Sequence, residues 1–215
     1  MPLIVHRKLP SDAELGLWRI TESEAFFSQQ LDLSDAERAY IARIKGHRRL
    51  EWLAGRLLLH HLSGRETRGA CYKDEFGKPH LENSRYDISI SHSRELAAVL
   101  AAPRRVGIDI QKLVGKIERL THKFLRPNEL ASLSTTQRLE HLLVYCGAKE
   151  ALYKAYGRRE LDFRQHLLIT PFSFDLHRGQ CHGTVHKDAH HSEYQLHYEQ
   201  LDDYILVYAL ELDPS

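Results

Sequence analysis

Three charged residues stand at spacings that could support chemistry with a hard metal ion. Asp109 lies in Val106-Gly-Ile-Asp-Ile-Gln111, and Glu150 and Lys154 lie in Ala148-Lys-Glu-Ala-Leu-Tyr-Lys154. Two carboxylates are a common protein contribution to an Mg²⁺ site, and a lysine can stabilise negative charge beside it. Each feature also has a simpler interpretation, since Asp109 could be a surface residue and Glu150 with Lys154 an exposed helical salt bridge.

Alternating apolar and polar residues predict the strand that carries Asp109. Val106, Ile108 and Ile110 would face one side, with Gly107, Asp109 and Gln111 on the other. Upstream, residues 86–91 also alternate, and residues 96–102 form a short apolar run. The middle of the chain is therefore predicted to be an antiparallel meander.

Helical patterns precede the meander and follow it. The first runs from a capping box at Ser34 to Gly64, with a possible interruption at Gly46, and the second runs over residues 134–157. The first helix would carry a basic stripe, which could be a solvated face or an anion site: Arg38, Lys45, Arg49 and Arg56.

The tail predicts further short strands, at residues 172–176, 181–186, 193–198 and 204–210. A helix followed by antiparallel strands thus occurs in both halves. This order favours an α+β protein of two similar lobes, each with antiparallel strands packed against helices.

Composition limits the classes of partner. The chain has 215 residues, a net charge of +1 and three widely spaced cysteines. A near-neutral charge does not favour nucleic acid or an acidic membrane, and the cysteines do not suggest a disulfide framework. With no signal peptide or apolar membrane span evident, we expect a soluble protein of a reducing compartment, the cytoplasm.

Five ordered blocks resemble those of the 4′-phosphopantetheinyl transferases. The matching segments are Phe76-Gly-Lys-Pro79, Ser89-Ile-Ser-His-Ser93, Gly107-Ile-Asp-Ile-Gln111, Phe124-Leu-Arg-Pro-Asn-Glu129 and Tyr145-Cys-Gly-Ala-Lys-Glu-Ala-Leu-Tyr-Lys154. The likeness is to the larger single-chain, surfactin-synthetase-activating type, and Leu53-Ala-Gly-Arg56 extends it towards the N-terminus.

The resemblance implies an enzyme that transfers 4′-phosphopantetheine from coenzyme A to a serine of an apo acyl or peptidyl carrier protein, using Mg²⁺. This reaction would release adenosine 3′,5′-bisphosphate and serve fatty acid, polyketide or nonribosomal peptide biosynthesis. Asp109, Glu150 and Gln111 would hold the metal, while Glu150 acts as base and Lys154 stabilises charge. The implied coenzyme A residues are Lys78, Ser91 and His92, with Lys73 and Arg49 as weaker candidates.

The resemblance also implies two lobes related by a pseudo-twofold, residues 1–103 and 104–215, with the site at their interface. Such a chain is expected to work as a monomer. Gln111 departs from the family pattern, which often has a third carboxylate at that position. A carboxamide oxygen can still ligate Mg²⁺, but it brings no charge.

Alternatives to an active transferase stay open. The chain could be a carrier-binding module of the same fold without activity, or a nucleotide- or coenzyme A-binding regulator. His186 and His190 would suit a metal site if the tail were helical. Cys146, near His141, could be a nucleophile, although a packing role is favoured.

Overall fold

The computed structural model describes residues 2–213 of the chain. These divide into two compact units, Met1–Arg104 and Arg105–Ser215, and each unit has its own sheet and helices. No helix among the described residues has both the length and the apolar character needed to cross a membrane.

The first unit is a four-stranded antiparallel sheet packed with helices. Its strand order is β1-β2-β6-β5, and a separate two-stranded ribbon pairs β3 with β4. The strands are β1 (Leu3–Leu9), β2 (Ala13–Arg19), β3 (Cys71–Lys73), β4 (Pro79–Leu81), β5 (Asp87–Ser93) and β6 (Leu96–Ala102). The helices are α1 (Glu24–Gln30), α2 (Asp35–Ile41) and α3 (His47–Ser63).

The helical segment predicted over residues 34–64 is two helices, and the break includes Gly46, where an interruption was predicted as possible. Gly46 precedes α3 with a φ of 61°, a left-handed backbone that an α-helix cannot contain. The Ser34 capping box does begin α2, and Gly64 ends α3 with a φ of 61°. The predicted basic stripe is therefore divided between two helices. Arg38 pairs with Asp35 within α2, and Arg49 of α3 pairs with Glu24 of α1.

The second unit is a five-stranded antiparallel sheet with a long helix, α6, packed against it. The strand order is β7-β11-β10-β9-β8. The strands are β7 (Val106–Lys112), β8 (Leu167–Ile169), β9 (Arg178–Lys187), β10 (His190–Leu201) and β11 (Tyr204–Glu211). A 3₁₀ helix (Gly115–Leu120), α4 (Thr121–Phe124), α5 (Pro127–Ala131) and α6 (Arg138–Tyr156) complete the unit.

The predicted α+β class, with antiparallel sheets packed against helices, is confirmed. Sequence periodicity located β5, β6, β7, β9, β10, β11 and α6 to within a few residues. Residues 172–176, however, form no strand. Phe172 and Phe174 instead pack their rings on His141 of α6, with ring centroids 4.8 and 4.6 Å from the imidazole.

Candidate functional site

Strand β7 and helix α6 approach each other so closely that only small residues fit between them. A Cβ atom added to Gly107 would lie 1.8 Å from the carbonyl oxygen of Ala151. On the helix, a Cβ at Gly147 would lie 2.7 Å from Val207 of β11 and 3.8 Å from the Asp109 carboxylate. The polar face of β7 therefore meets α6, and Asp109 lies in this contact.

Asp109 is buried, and both of its carboxylate oxygens have partners in the second unit. Lys154 donates to Oδ1 at 2.7 Å, and its ammonium group also donates to the carbonyl oxygen of Ile108 at 2.9 Å. The side-chain amide of Gln111 donates to Oδ2 at 2.6 Å. The interpretation of Asp109 as a surface residue is thus wrong, and Lys154 lies in an ion pair between helix and strand.

Glu150 lies one helical turn before Lys154, and the charge of Asp109 acts on the pKa of its carboxyl group. Burial raises the pKa of Glu150, the nearby Asp109 carboxylate raises it further, and Lys154 acts in the opposite direction. Two carboxylates that share a poorly hydrated site repel each other, and a bound cation relieves that repulsion. The electrostatics of this pair therefore favour cation binding.

The donor set fits Mg²⁺ better than a soft metal. Asp109 and Glu150 offer carboxylate oxygens and Gln111 an amide oxygen, and Mg²⁺ usually completes its shell with water and substrate phosphate. Within residues 2–213, no group of three or more His, Cys, Asp or Glu side chains is arranged to hold a metal ion. The two carboxylates alone would not form a complete protein cage, so substrate oxygens would be needed.

Cys146 lies beside this site and has the properties of a packing residue. Its sulfur is 3.5 Å from the Gln111 amide nitrogen, and burial raises its pKa to about 12. A thiol with so high a pKa is protonated at neutral pH and is a poor nucleophile.

Two further residues of the matching blocks form a completely buried ion pair that sequence reasoning missed. The ammonium group of Lys149 lies 2.7 Å from the Glu129 carboxylate, and both side chains are fully buried. Glu129 lies in α5 and Lys149 in α6, so the periodicity within a single helix could not show that the two residues pair. Their presence in two blocks of the family pattern was the only available signal.

The residues predicted to bind coenzyme A all lie in the first unit, where most contact an acidic group. Lys78 pairs with Asp87 at 2.7 Å, and Nδ1 of His92 lies 3.1 Å from the Glu51 carboxylate of α3. Ser91 is buried one residue before His92 on β5. Lys78 and His92 are thus held in defined positions by carboxylates, which the sequence did not predict.

Lys73 lies in an aromatic pocket of about 260 Å³ that also contains Tyr40, Trp52, Arg56 and Tyr72. The Arg56 guanidinium is buried and stacks on Trp52 with its carbon 4.4 Å from the ring centroid. The ammonium group of Lys73 is 5.4 Å from the Tyr40 ring centroid. The Glu37 carboxylate also lines this pocket, 4.0 Å from Nε of Arg56, so the pocket combines aromatic rings with charges of both signs and suits a planar group. A second cavity of the first unit, about 290 Å³, is lined by residues that include Arg65 and Tyr86 and contains none of the predicted site residues.

The histidines of the tail lie on strands, so the helical arrangement needed for a His186–His190 metal site does not exist. His186 is in β9 opposite His191 of β10, and their ring centroids are 5.7 Å apart. His190 packs edge-on against Tyr156.

Comparison with known families agrees with this geometry. The sequence model of the 4′-phosphopantetheinyl transferase superfamily matches residues 105–209, which span β7, α6 and most of the second sheet. These residues therefore carry a domain of that superfamily, and the match implies transfer of phosphopantetheine from coenzyme A to a carrier protein. The comparison with curated proteins found no match.

Proposed function

We propose that this chain is a Mg²⁺-dependent 4′-phosphopantetheinyl transferase of the larger single-chain type. The observation that carries the proposal is the convergence of Asp109, Glu150 and Lys154 where β7 meets α6. A pair of carboxylates with a lysine beside it is suited to a pyrophosphate substrate, because the substrate's own charge completes the metal shell.

In the proposed reaction, the serine oxygen of the carrier protein attacks the phosphorus that bears the pantetheine. A serine O–P bond forms, the bond from that phosphorus to the bridging pyrophosphate oxygen breaks, and adenosine 3′,5′-bisphosphate leaves. Glu150 takes the serine proton, directly or through water. Lys154 stabilises charge on the phosphates. Bound Mg²⁺ would supply charge neutralisation at the pyrophosphate.

The first unit would bind the nucleotide part of coenzyme A. Lys78, Ser91 and His92 would donate to its phosphates, with Arg49 as a further cation. The aromatic pocket would take the adenine ring and one phosphate, between Lys73, Arg56 and the aromatic rings. This pocket adds Arg56, Trp52 and Tyr40 to the residues proposed from sequence.

The remaining parts of the proposal concern the protein's setting. We expect a cytoplasmic monomer whose partner is an apo acyl or peptidyl carrier protein, with no affinity for nucleic acid or membranes. Three free cysteines, two of them buried, suit a reducing compartment.

The proposal is tested by incubating the protein with coenzyme A labelled in its pantetheine part and an apo-carrier protein. Label should move to the carrier with Mg²⁺ and should not move when a chelator removes the metal. An inactive carrier-binding module would bind the carrier without transfer, and a regulator would bind only coenzyme A. Either result would contradict the transferase.

Calorimetric titration tests the coenzyme A residues separately. Lys78→Ala and His92→Ala should each weaken coenzyme A binding by about 1.5–3 kcal/mol, the usual contribution of a charged hydrogen bond. Lys8→Ala, at an exposed lysine of the same unit, is the matched control. If both variants bind coenzyme A as tightly as the control, the phosphates bind elsewhere.

A further inference from the structure

The Glu129–Lys149 pair connects four segments of the second unit. Lys149 of α6 pairs with the Glu129 carboxylate at 2.7 Å and donates to the carbonyl oxygen of Phe163 at 3.0 Å. Glu129 also accepts from the backbone N–H groups of Arg126 at 2.7 Å and Ile169 at 3.1 Å. One buried pair thus joins α5, α6, β8 and the loop that follows α6.

Stability alone is a weak reason for such a pair. Desolvating two charges costs about as much as their attraction returns, and an apolar pair of similar volume is often equally stable. What the pair provides, and an apolar contact does not, is a single geometry, since the ammonium group must meet both a carboxylate and a carbonyl oxygen.

Where α6 crosses β7, the contact is between backbones. Gly107 faces the backbone of Ala151 directly, so the rotation of α6 beside Asp109 is set by side-chain contacts elsewhere on the helix, and Lys149 makes one of them. Lys149 precedes Glu150 by one residue, which places the two side chains about 100° apart around the helix axis. A fixed Lys149 therefore fixes the direction of Glu150.

We propose that Glu129 and Lys149 are positioning residues that set the rotation of α6, so that Glu150 and Lys154 meet Asp109 in a geometry that binds a divalent cation. This inference rests on the metal site of the proposed function. It assigns to the pair a role in metal affinity that is separable from its role in stability.

The test measures Mn²⁺ binding by electron paramagnetic resonance, with saturating coenzyme A and without carrier, alongside thermal unfolding. Lys149→Met leaves the Glu129 charge buried and unpaired, so it should lower the melting temperature and weaken Mn²⁺ binding. The double variant Glu129→Gln/Lys149→Met removes both charges and should recover part of the lost melting temperature, because the glutamine amide can accept from only one of the two backbone N–H groups that Glu129 satisfies. Its Mn²⁺ affinity should stay about 10-fold or more below that of the parent, as when other supporting residues of a metal site are changed.

Lys149→Gln keeps N–H donors near the same place without the charge, so its Mn²⁺ affinity should lie between those of the parent and Lys149→Met. It also keeps the inference testable if the double variant does not fold. The matched control is Glu160→Gln/Lys187→Met, which removes the same charges from a pair whose glutamate is 88% exposed. The control should bind Mn²⁺ like the parent.

Recovery of Mn²⁺ affinity together with melting temperature in the double variant would overturn the positioning role, because the pair would then act only on stability. Parent-like affinity in Lys149→Gln and Lys149→Met would overturn it as well. The double variant Asp109→Ala/Glu150→Ala identifies a failure of the proposed function itself. If this variant binds Mn²⁺ as tightly as the parent, the metal site and the inference both fail.

Discussion

Gln111 occupies the position where the family pattern often has a third carboxylate, and its amide donates a 2.6 Å hydrogen bond to Asp109. The neutral amide satisfies one oxygen of a buried carboxylate while Lys154 satisfies the other. Gln111 therefore stabilises the Asp109 carboxylate when no metal is bound. It lacks, however, the negative charge that a third carboxylate would bring to a cation.

Replacing Gln111 with glutamate should destabilise the site without metal and strengthen its attraction for the cation. Without metal, Gln111→Glu places two carboxylates in contact, so the melting temperature in a chelator should fall below that of the parent. With Mg²⁺, the added charge should lower the metal concentration that gives the half-maximal transfer rate. Magnesium titrations of both proteins, followed by transfer rate and by thermal unfolding, measure the two effects.

An unchanged half-saturation concentration would contradict the placement of Gln111 at the metal. A large loss of rate at saturating Mg²⁺ would instead show that the amide is needed as a hydrogen-bond donor. Gln165→Glu, in the loop after α6, is a control for the added charge alone.

Residue by residue, the sequence predicted which side chains share a face but not which ones pair. Alternation placed Asp109 and Gln111 on one side of β7, and the two are in contact. Pairing of Lys78 with Asp87, or of Lys149 with Glu129, depends on loop paths between elements that periodicity does not encode. Burial of Asp109 was likewise unpredictable, because it follows from the close approach of α6.

At the scale of elements, the contact between β7 and α6 depends on the absence of a side chain at Gly107. Gly107→Ala would place a methyl group 1.8 Å from the backbone oxygen of Ala151, a contact that only movement of the helix or strand can relieve. Overpacking of this kind costs about 1–3 kcal/mol or more. The expected result is a lower melting temperature together with weakened Mn²⁺ binding.

Gly115→Ala is the matched control, because a Cβ atom there would meet nothing within 4 Å. An unaltered melting temperature and unaltered Mn²⁺ binding in Gly107→Ala would show that α6 does not need this close approach.

A buried histidine in the first turn of α6, His141, predicts that the stability of the protein depends on pH. His141 is buried between Tyr145 and Phe174, and its Nδ1 accepts a 3.1 Å hydrogen bond from the backbone of Ser134. Within the described residues, its buried Nε2 has no hydrogen-bond partner. Burial lowers the pKa of His141 from 6.5 to about 4, so the folded state favours the neutral imidazole.

The imidazole of His141 binds a proton more readily in the unfolded chain than in the folded one. Its contribution to the free energy of unfolding is therefore fully present above pH 6.5 and is lost as the pH falls towards 4. The loss should be on the order of 3 kcal/mol. His141→Asn, which keeps an acceptor for Ser134, should lack this part of the pH dependence in urea unfolding at pH 7.5 and 4.5. His122→Asn, at an exposed histidine, is the control. An equal loss of unfolding free energy between pH 7.5 and 4.5 in the parent and in His141→Asn would contradict this role of His141.

Elements with strong periodicity were predictable, whereas those fixed by tertiary contacts were not. Strands β1 and β2, each seven residues long, were missed because neither alternates strictly. The edge strand β1 is mostly exposed and has charged residues near its end, whereas β2 is buried on both faces. The strand predicted at residues 172–176 failed because its aromatic side chains pack on His141 instead of joining a ladder. The break at Gly46 was anticipated only as a possibility, since a glycine does not by itself end a helix.

For the whole molecule, a net charge of +1 means that anionic substrates must be recognised by local groups. The cations that could do this are held by neighbouring carboxylates, as Lys154 is by Asp109 and Lys78 is by Asp87. Such pairing keeps a positive side chain in position without creating a charged surface. It also makes each site sensitive to loss of a single carboxylate.

The proposed function requires that Asp109 and Glu150 together bind the divalent cation on which transfer depends. This requirement is tested by following the mass of an apo-carrier protein with coenzyme A over a range of Mg²⁺ concentrations, for the parent, Asp109→Ala, Glu150→Ala and the exposed control Glu118→Ala. The parent and control should add one phosphopantetheine group per carrier in an Mg²⁺-dependent manner. Both site variants, folded as judged by thermal unfolding, should lose more than about 100-fold in rate. Rates within a few-fold of the parent in either site variant, or full transfer without divalent metal, would contradict the account.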